Sequence, residues 1–218
     1  MVNIKNCRIC GGIDLVPVID LGLQPWGNNF LKKEEVGKEA YYPLNVVFCQ
    51  KCKAGQLDYT VDKETMFSDH TYLSGMTKTL SEHFRELAVY SEKSFNFENK
   101  NKNVLDIGSN DGTQLRHYKD LGWGVLGVES SKKTAEIANN AGIETLNKFF
   151  NEECLSEINE KFSIINASGV FFHLEELHSV TAAVKCSLKQ DGVFIVQFLY
   201  VQSIFENVAF DQIYHEHL

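Results

Sequence analysis

The sequence lacks the features of a secreted or membrane-spanning protein. Its longest apolar stretch, Val193 to Val201, is interrupted by Gln197 and is far shorter than the ~20 residues that a membrane span needs. The N-terminus has no apolar core of the kind that secretory signals carry, so we expect a cytoplasmic location. Basic residues are also scarce, because 21 Lys and Arg stand against 29 Asp and Glu and leave a net charge of −8. This charge argues against a nucleic-acid or membrane partner.

Proline is scarce too, and its distribution divides the chain. All 3 prolines and most of the 6 cysteines lie in residues 1–60, which we interpret as a small, loop-rich module. Residues 61–100 are predicted to form a connector, with an amphipathic helix over 77–94 and a polar linker from Asn96 to Asn103. Residues 101–200 are the expected main domain, and residues 201–218 begin a further segment.

Short apolar runs alternate with helical stretches in the main domain. This alternation is typical of a doubly wound α/β fold with a mainly parallel sheet. The predicted strands cover residues 104–107, 124–128, 143–146, 162–166 and 193–198. The predicted helices cover residues 113–121, 131–141, 151–160 and 174–189.

The cysteines near the N-terminus form two Cys-x-x-Cys pairs, Cys7 with Cys10 and Cys49 with Cys52. This spacing lets one tight turn direct two thiolates at a tetrahedral metal ion, and the second pair completes four sulfur ligands. We therefore predict a structural zinc site. Two alternatives stay open: redox pairs, which usually occur singly, and a degenerate site that binds nothing. The remaining cysteines are expected to be core thiols within helices: Cys154 and Cys186.

A glycine-containing loop follows the first strand of the main domain. The strand runs into Asp106-Ile-Gly-Ser-Asn-Asp-Gly112 and then into a helix, where backbone N–H groups approach a ligand closely. Asn110 replaces the second glycine of the dinucleotide fingerprint, which argues against a pyrophosphate. Glu129 ends the next strand, where an acid accepts hydrogen bonds from ribose hydroxyls. Together they predict S-adenosylmethionine, with NAD, a related nucleotide or a ligand-free structural turn as alternatives. The predicted contacts are Asp106, Gly108, Asn110, Asp111, Gly112 and Glu129.

Two further candidate sites contain histidines. His173 follows the fourth strand, at the carboxyl edge of the predicted sheet, where α/β folds bind ligands; a surface role and a functional role are both open. Tyr214-His215-Glu216-His217 lies at the end of the sequence and, if extended, places both histidines on one face. That pair is a candidate either for two metal ligands or for a general base oriented by a carboxylate and a phenol.

Taken together, these residues resemble the sugar C-methyltransferase family, whose members methylate a carbon of nucleotide-linked 4-keto deoxysugars. The resemblance covers essentially the whole chain. It implies a zinc-bearing N-terminal module and a Rossmann-like class I methyltransferase core, followed in the family by a C-terminal domain. The matching segments are Cys7-x-x-Cys10, Phe48-Cys49-x-x-Cys52, Tyr72-Leu73-Ser74 ahead of Glu82-His83-Phe84, the loop 105–112, Phe172-His173 and Asp211 to His217.

The resemblance also implies residue roles. In the family, the second histidine of the terminal motif is the general base, supported by the tyrosine and the glutamate, so these roles map onto His217, Tyr214 and Glu216. Tyr72 and His173 match positions that contact the substrate.

The expected reaction is C-methylation beside the ketone of a nucleotide-sugar substrate, with S-adenosylmethionine as donor and His217 removing the proton. Gly169 departs from the family, which often has asparagine there, and glycine offers no side-chain donor to the substrate. The alternatives are O- or N-methylation of another sugar or polysaccharide precursor, and an inactive fragment that binds only zinc and S-adenosylmethionine. Because the family is longer, we expect a truncated chain that binds S-adenosylmethionine but methylates poorly. The carboxylate of Leu218 is expected to raise the pKa of His217. The oligomeric state is left open.

Overall fold

The computed structural model describes residues 2–68, 72–95, 97 and 101–218. The chain divides into two compact units. The first comprises Met1–Met66, Phe172–Leu177 and Leu199–Leu218, and the second comprises Phe67–Phe171 and His178–Phe198. Of the linker predicted over 96–103, residues 96 and 98–100 lie outside the described residues. Within the described ranges, no helix has the length and apolar character that crossing a bilayer requires.

The first unit is built mainly from antiparallel strands. One sheet has the order β2–β3–β4, and a separate pair joins β1 to β5. The strands are β1 (Val2–Asn3), β2 (Leu15–Pro25), β3 (Tyr41–Cys49), β4 (Gly55–Leu57) and β5 (Tyr59–Thr60). This unit also contains the short helix α6 (Val201–Glu206) and a 3-10 turn at Phe210–Gln212. The short helix α1 (Lys63–Phe67) lies at its boundary.

Residues 1–60 are richer in strand than the predicted loop-rich module. Pro17 and Pro25 lie in β2, an edge strand that pairs only with β3. An edge strand tolerates proline because part of its N–H groups have no ladder partner to lose. The register between β2 and β3 also shifts after Pro17 and again after Asp20. Pro17 and Pro25 therefore lie in an edge strand with bulges and not in loops.

The second unit contains the predicted parallel sheet. Its five strands have the order β10–β9–β6–β7–β8, and every pairing is parallel. The central strand β6 is buried at every residue, as expected for a parallel strand covered on both faces. The strands are β6 (Asn103–Ile107), β7 (Gly124–Glu129), β8 (Thr145–Asn147), β9 (Phe162–Ser168) and β10 (Leu188–Gln197).

Helices connect these strands and share one core with them. The helices are α2 (Lys78–Ser94), α3 (Thr113–Asp120), α4 (Lys132–Asn140) and α5 (Leu177–Ser187). Aromatic rings fill the centre, where Trp123 meets Tyr118 and Phe97 edge-on. The buried cluster comprises Ala88, Phe97, Val104, Leu115, Tyr118, Trp123, Ala138, Ile143 and Ile164.

Several predicted elements differ from the structure, and among them the strand predicted over 143–146 is observed as Thr145–Asn147. The helix predicted over 151–160 is only a 3-10 turn, Glu153–Glu157. Asn151 accepts hydrogen bonds from the N–H groups of Glu153 and Cys154 and so caps the start of this turn, which ends at Glu157 without continuing as an α-helix. The helix predicted over 174–189 ends at Ser187, and β10 begins directly after it, five residues ahead of the predicted strand.

The two isolated cysteines were predicted to be core thiols, and only one of them is. Cys154 is buried, whereas Cys186 is exposed on α5. The buried residues of α5 include Val180, Ala183 and Val184, which share one helical face, and Cys186 falls outside that face.

Candidate functional site

The four N-terminal cysteines converge in the first unit. Their sulfur atoms all lie within 4.8 Å of one another; Sγ of Cys7 is 3.5 Å from Sγ of Cys52, and Sγ of Cys10 is 3.7 Å from Sγ of Cys49. Four sulfurs bound at ~2.3 Å to one tetrahedral zinc ion would be separated by about 3.8 Å. The cluster therefore fits a structural zinc ion with a closed set of ligands.

The two cysteine turns have the same backbone geometry. In each turn, the residue four positions after the first cysteine donates its N–H to that cysteine's carbonyl, Gly11 to Cys7 and Lys53 to Cys49, both at 2.9 Å. Both donors have left-handed backbone, with φ of 68° at Gly11 and 67° at Lys53. Equal turns present the thiols in the same way, as a symmetric four-sulfur site requires.

The pKa values of two of these thiols are shifted in opposite directions. Burial raises the pKa of Cys7, but hydrogen bonds from the Cys10 backbone and from the amide of Gln56, at 3.1 Å, lower it to about 6. A hydrogen bond from the Ala54 backbone lowers the pKa of Cys52, yet burial and the neighbouring thiols raise it to about 12. Thiols this close resist ionising together, and a divalent cation would relieve that repulsion.

The glycine loop joins β6 to α3 in the second unit, as predicted. Gly108 has φ of 66°, and a Cβ there would lie 2.8 Å from a methyl group of Val170. Gly112, with φ of 77°, caps α3, and a Cβ there would lie 3.0 Å from Ile143. Both positions therefore require glycine for backbone conformation and for space.

The side chains of Asn110 and Asp111 hold a neighbouring segment. Asn110 accepts a hydrogen bond from the N–H of Ser74 at 2.8 Å and donates to the carbonyl of Tyr72 at 2.9 Å. Asp111 accepts from the N–H of Gly75 at 2.8 Å. The loop thereby positions the backbone of Tyr72, a candidate substrate contact whose side chain is exposed.

Glu129 lies beside the loop, where the sequence predicts an acid. One carboxylate oxygen accepts from the N–H of Asn110 at 2.9 Å and the other from the N–H of Ser131 at 2.8 Å. The carboxylate is thus fixed at the carboxyl end of β7. Burial, followed by the charge of Glu129, raises the pKa of Asp106 well above its usual range.

The terminal histidine motif forms a turn in the first unit, so the extended arrangement that would place both histidines on one face does not occur. The N–H of His217 donates to the carbonyl of Tyr214 at 3.0 Å and closes this turn. The ring of His217 packs on Tyr214, with centroids 4.0 Å apart, and lies 5.3 Å from the ring of His173. His215 points elsewhere: it is 1% exposed, and its Nε2 lies 3.3 Å from the carbonyl of Tyr42.

The protonation of His217 is set by its surroundings. Its Nδ1 lies 2.8 Å from the carbonyl of Gln212; because a carbonyl only accepts, Nδ1 carries the proton and Nε2 does not. Burial lowers the pKa of His217 and outweighs the raising effects of Gln212 and of the Glu216 charge. The Leu218 carboxylate was expected to raise this pKa, but desolvation dominates and the net shift is downward. His217 is thus a neutral imidazole near pH 7, suited to act as a base.

His173 and Glu216 are held in the same cluster. Nδ1 of His173 lies 2.6 Å from the backbone carbonyl of Glu216, so this nitrogen also carries its proton. The Glu216 carboxylate accepts hydrogen bonds from Trp26 and Asn28. The sequence gives no signal for these two donors, because they precede Glu216 by about 190 residues.

Acid is expected to destabilise the first unit through two histidines. Burial lowers the pKa of both His215 and His217 in the folded state, so the unfolded chain binds more protons below its own pKa of about 6.5. The contribution of these two histidines to stability should be constant above that pH and fall as the pH drops through it, by up to about 1.4 kcal/mol per pH unit for each histidine. Urea unfolding at pH 7.5 and 5.5 measures the loss. His215→Gln should reduce this loss, whereas the exposed His178→Gln should not; equal losses in both variants would contradict the assignment.

Family comparison separates two regions of the chain. Residues 80–218 match a family model described as "Methyltransferase domain". The chain belongs to this methyltransferase domain family. Residues 7–67 match a model described as "Putative zinc binding domain", in agreement with the geometry of the cysteine cluster.

Individual relatives support the same assignment. The chain is 29% identical to the C-methyltransferase NovU of Streptomyces niveus over 218 residues, which is 98% of this chain and 52% of NovU. It is 27% identical to the release factor glutamine methyltransferase of Buchnera aphidicola over 152 residues, 67% of this chain and 54% of that protein. The chain thus spans about half the length of the curated relatives it matches.

The fold is shared with a solved methyltransferase structure. The plantazolicin methyltransferase BpumL, in complex with a triazolic analogue and SAH, matches 62% of this chain and 54% of its own, with 17% identity and a TM-score of 0.51. The chain therefore has the class I methyltransferase fold that the sequence predicts.

Proposed function

We propose that this chain catalyses C-methylation of a nucleotide-linked 4-keto deoxysugar with S-adenosylmethionine as donor. The observation that carries the proposal is the His217 imidazole, whose Nδ1 proton is held by Gln212 and whose pKa is lowered by burial. Carbon must be deprotonated before it can be methylated, so this reaction needs such a base. The similarity to NovU, which extends over 98% of the chain, supports the choice of carbon as acceptor.

The glycine loop and Glu129 are the proposed binding residues for S-adenosylmethionine. The left-handed backbone of Gly108 and Gly112 forms the tight turn between β6 and α3 on which the proposed site depends. Glu129 would accept hydrogen bonds from the ribose hydroxyls. When bound, S-adenosylmethionine supplies an electrophilic methyl group. Zinc has a structural role, because four cysteine ligands leave no open position.

His217 is the proposed general base. The C3–H bond next to the ketone breaks, its proton passes to Nε2 of His217, and its electron pair is delocalised onto the ketone oxygen. The imidazolium that forms keeps its Nδ1 hydrogen bond to Gln212. Tyr214 packs on the ring and restricts its orientation, and Tyr72 and His173 are the proposed substrate contacts.

Solvent exchange tests this proposal directly. The chain is incubated in deuterium oxide with S-adenosylhomocysteine and nucleotide-linked 4-keto deoxysugars, and deuterium at C3 is followed by NMR; methyl transfer from S-adenosylmethionine is followed by mass spectrometry. We expect C3 exchange and a small amount of product that carries its new methyl on carbon, since methylation by this chain is expected to be slow. Methylation on oxygen or nitrogen without exchange would instead support the O- or N-methyltransferase alternative. Cofactor binding without either signal would support an inactive binding fragment.

Glu129→Ala is expected to weaken the binding of S-adenosylhomocysteine by about tenfold to a hundredfold. Hydrogen bonds to a charged group contribute about 1.5 to 3 kcal/mol, and Glu129 also orders the loop through the N–H of Asn110. Titration calorimetry measures the affinity. Glu136→Ala, on the exposed face of α4, is the control and should bind normally. Unchanged affinity in Glu129→Ala, in a protein that still unfolds at the native temperature, would remove Glu129 from the ribose site.

A further inference from the structure

The carboxylate of Glu216 is held by two side chains of the N-terminal segment. One of its oxygens accepts hydrogen bonds from Nε1 of Trp26 at 2.7 Å and from Nδ2 of Asn28 at 2.8 Å. Trp26 and Asn28 directly follow β2. Glu216 is only 3% exposed, so these donors take the place of water around a buried anion.

Two hydrogen bonds to one buried oxygen restrict the orientation of the Glu216 carboxylate. A buried carboxylate loses the hydrogen bonds of water and needs replacements within the protein. Both donors here are neutral and meet on the same oxygen, so they fix the carboxylate without forming an ion pair. Removal of either donor leaves that oxygen with one hydrogen bond fewer and the Glu216 side chain less restrained.

The orientation of Glu216 bears on both neighbouring histidines. Its backbone carbonyl accepts the Nδ1 proton of His173 at 2.6 Å. Glu216 also occupies the third position of the turn that the N–H of His217 closes on Tyr214 at 3.0 Å. The side-chain anchor holds the backbone of this turn in place, so its loss would let the Glu216 carbonyl that orients His173 and the backbone of His217 shift together.

The same N-terminal hairpin contacts this turn at a second point. The buried ring of His215 lies 3.3 Å from the carbonyl of Tyr42, and the rings of these two residues meet edge-on at 5.8 Å. Tyr42 lies in β3, the strand paired with β2. The hairpin thus holds the turn on two sides, through His215 and through Glu216.

We propose that Trp26 and Asn28 are positioning residues for the reaction, acting through Glu216 on His173 and His217. This inference rests on the proposed function for its catalytic consequence. It gives the N-terminal module a second role besides metal binding, because the β2–β3 hairpin orients the residue proposed as the base.

The rate of C3 exchange tests the catalytic consequence of this proposal. Trp26→Phe and Asn28→Ala are each expected to lower the exchange rate at saturating substrate by about tenfold to a hundredfold, with KM for the sugar and affinity for S-adenosylhomocysteine unchanged. In a Glu216→Gln background, Trp26→Phe should cause little further loss if it acts through Glu216. Fully multiplicative effects of the two substitutions would overturn the proposal.

The second tryptophan provides a matched control. Nε1 of Trp123 also donates to a carboxylate, that of Glu92, in the core of the second unit. Trp123→Phe therefore removes the same type of hydrogen bond elsewhere in the chain. It should leave the exchange rate at saturating substrate within about twofold of the native value; an equal loss in both variants would mean that Trp26 acts only on general stability.

Histidine-ring NMR tests the structural part without any substrate. In the native chain, 15N spectra should show His173 and His217 protonated on Nδ1, as their carbonyl partners require. Trp26→Phe should shift or broaden both ring signals, whereas Trp123→Phe should leave them in place. Native ring signals in Trp26→Phe would overturn the proposal. If the rings respond but no keto-sugar exchanges its proton, the positioning role stands and the proposed reaction fails.

Discussion

His217→Asn is expected to lower C3 exchange by about a hundredfold to ten-thousandfold, the usual contribution of a general base. Asparagine retains a side-chain donor that reaches a carbonyl such as that of Gln212, which His217 contacts at 2.8 Å. It has no basic lone pair to take the proton. The rate should therefore fall while the affinity for S-adenosylhomocysteine and the zinc content remain native.

Two further histidines make this experiment specific. His178→Asn changes an exposed histidine at the start of α5 and should exchange at the native rate. His173 has the same Nδ1-protonated arrangement as His217, so it is the alternative base. If His217→Asn exchanges normally while His173→Asn does not, the base assignment moves to His173.

Much of the second unit follows from its sequence because its signals are local. The strand predicted over 104–107 is observed as Asn103–Ile107, and the helix predicted over 77–94 is observed as Lys78–Ser94. A buried parallel strand reads as a short apolar run, and an amphipathic helix has a period of 3.6 residues. The cysteine cluster was predictable for a similar reason, since each turn brings two thiols together within four residues.

The parts that sequence did not predict depend on distant contacts. Trp26 and Asn28 bind Glu216 across about 190 residues, and neither residue type indicates that partner by itself. The first strands escaped prediction because their prolines are typical of loops, although an edge strand accommodates them. The terminal motif forms a turn instead of an extended segment because Glu216 and His215 are anchored in different directions. Tertiary contacts decide such local conformations.

Cys49→Ser is expected to remove most of the bound zinc and to unfold much of the N-terminal module. Native protein purified without chelator should contain about one zinc ion per chain, since its four sulfurs fit one tetrahedral ion. Structural zinc sites contribute about 10 to 16 kcal/mol of apparent binding free energy in small peptides, whereas the core of a module this small supplies a net of only about 3 to 5 kcal/mol. Cys49 is fully buried at the end of β3, so serine there would also place an unpaired hydroxyl in the core.

The effect of Cys49→Ser should extend to the histidine turn, because β3 also carries Tyr42, the contact of His215. Elemental analysis measures zinc, and the ring signals of His173 and His217 report on the turn. Cys186→Ser, at an exposed thiol outside the cluster, is the matched control and should retain the zinc and the native ring signals. Well under one zinc ion per native chain, or a full zinc content in Cys49→Ser, would contradict the four-cysteine site. Loss of zinc with native histidine signals would show instead that the hairpin holds the turn without the metal, because β2 and β3 pair along most of their length.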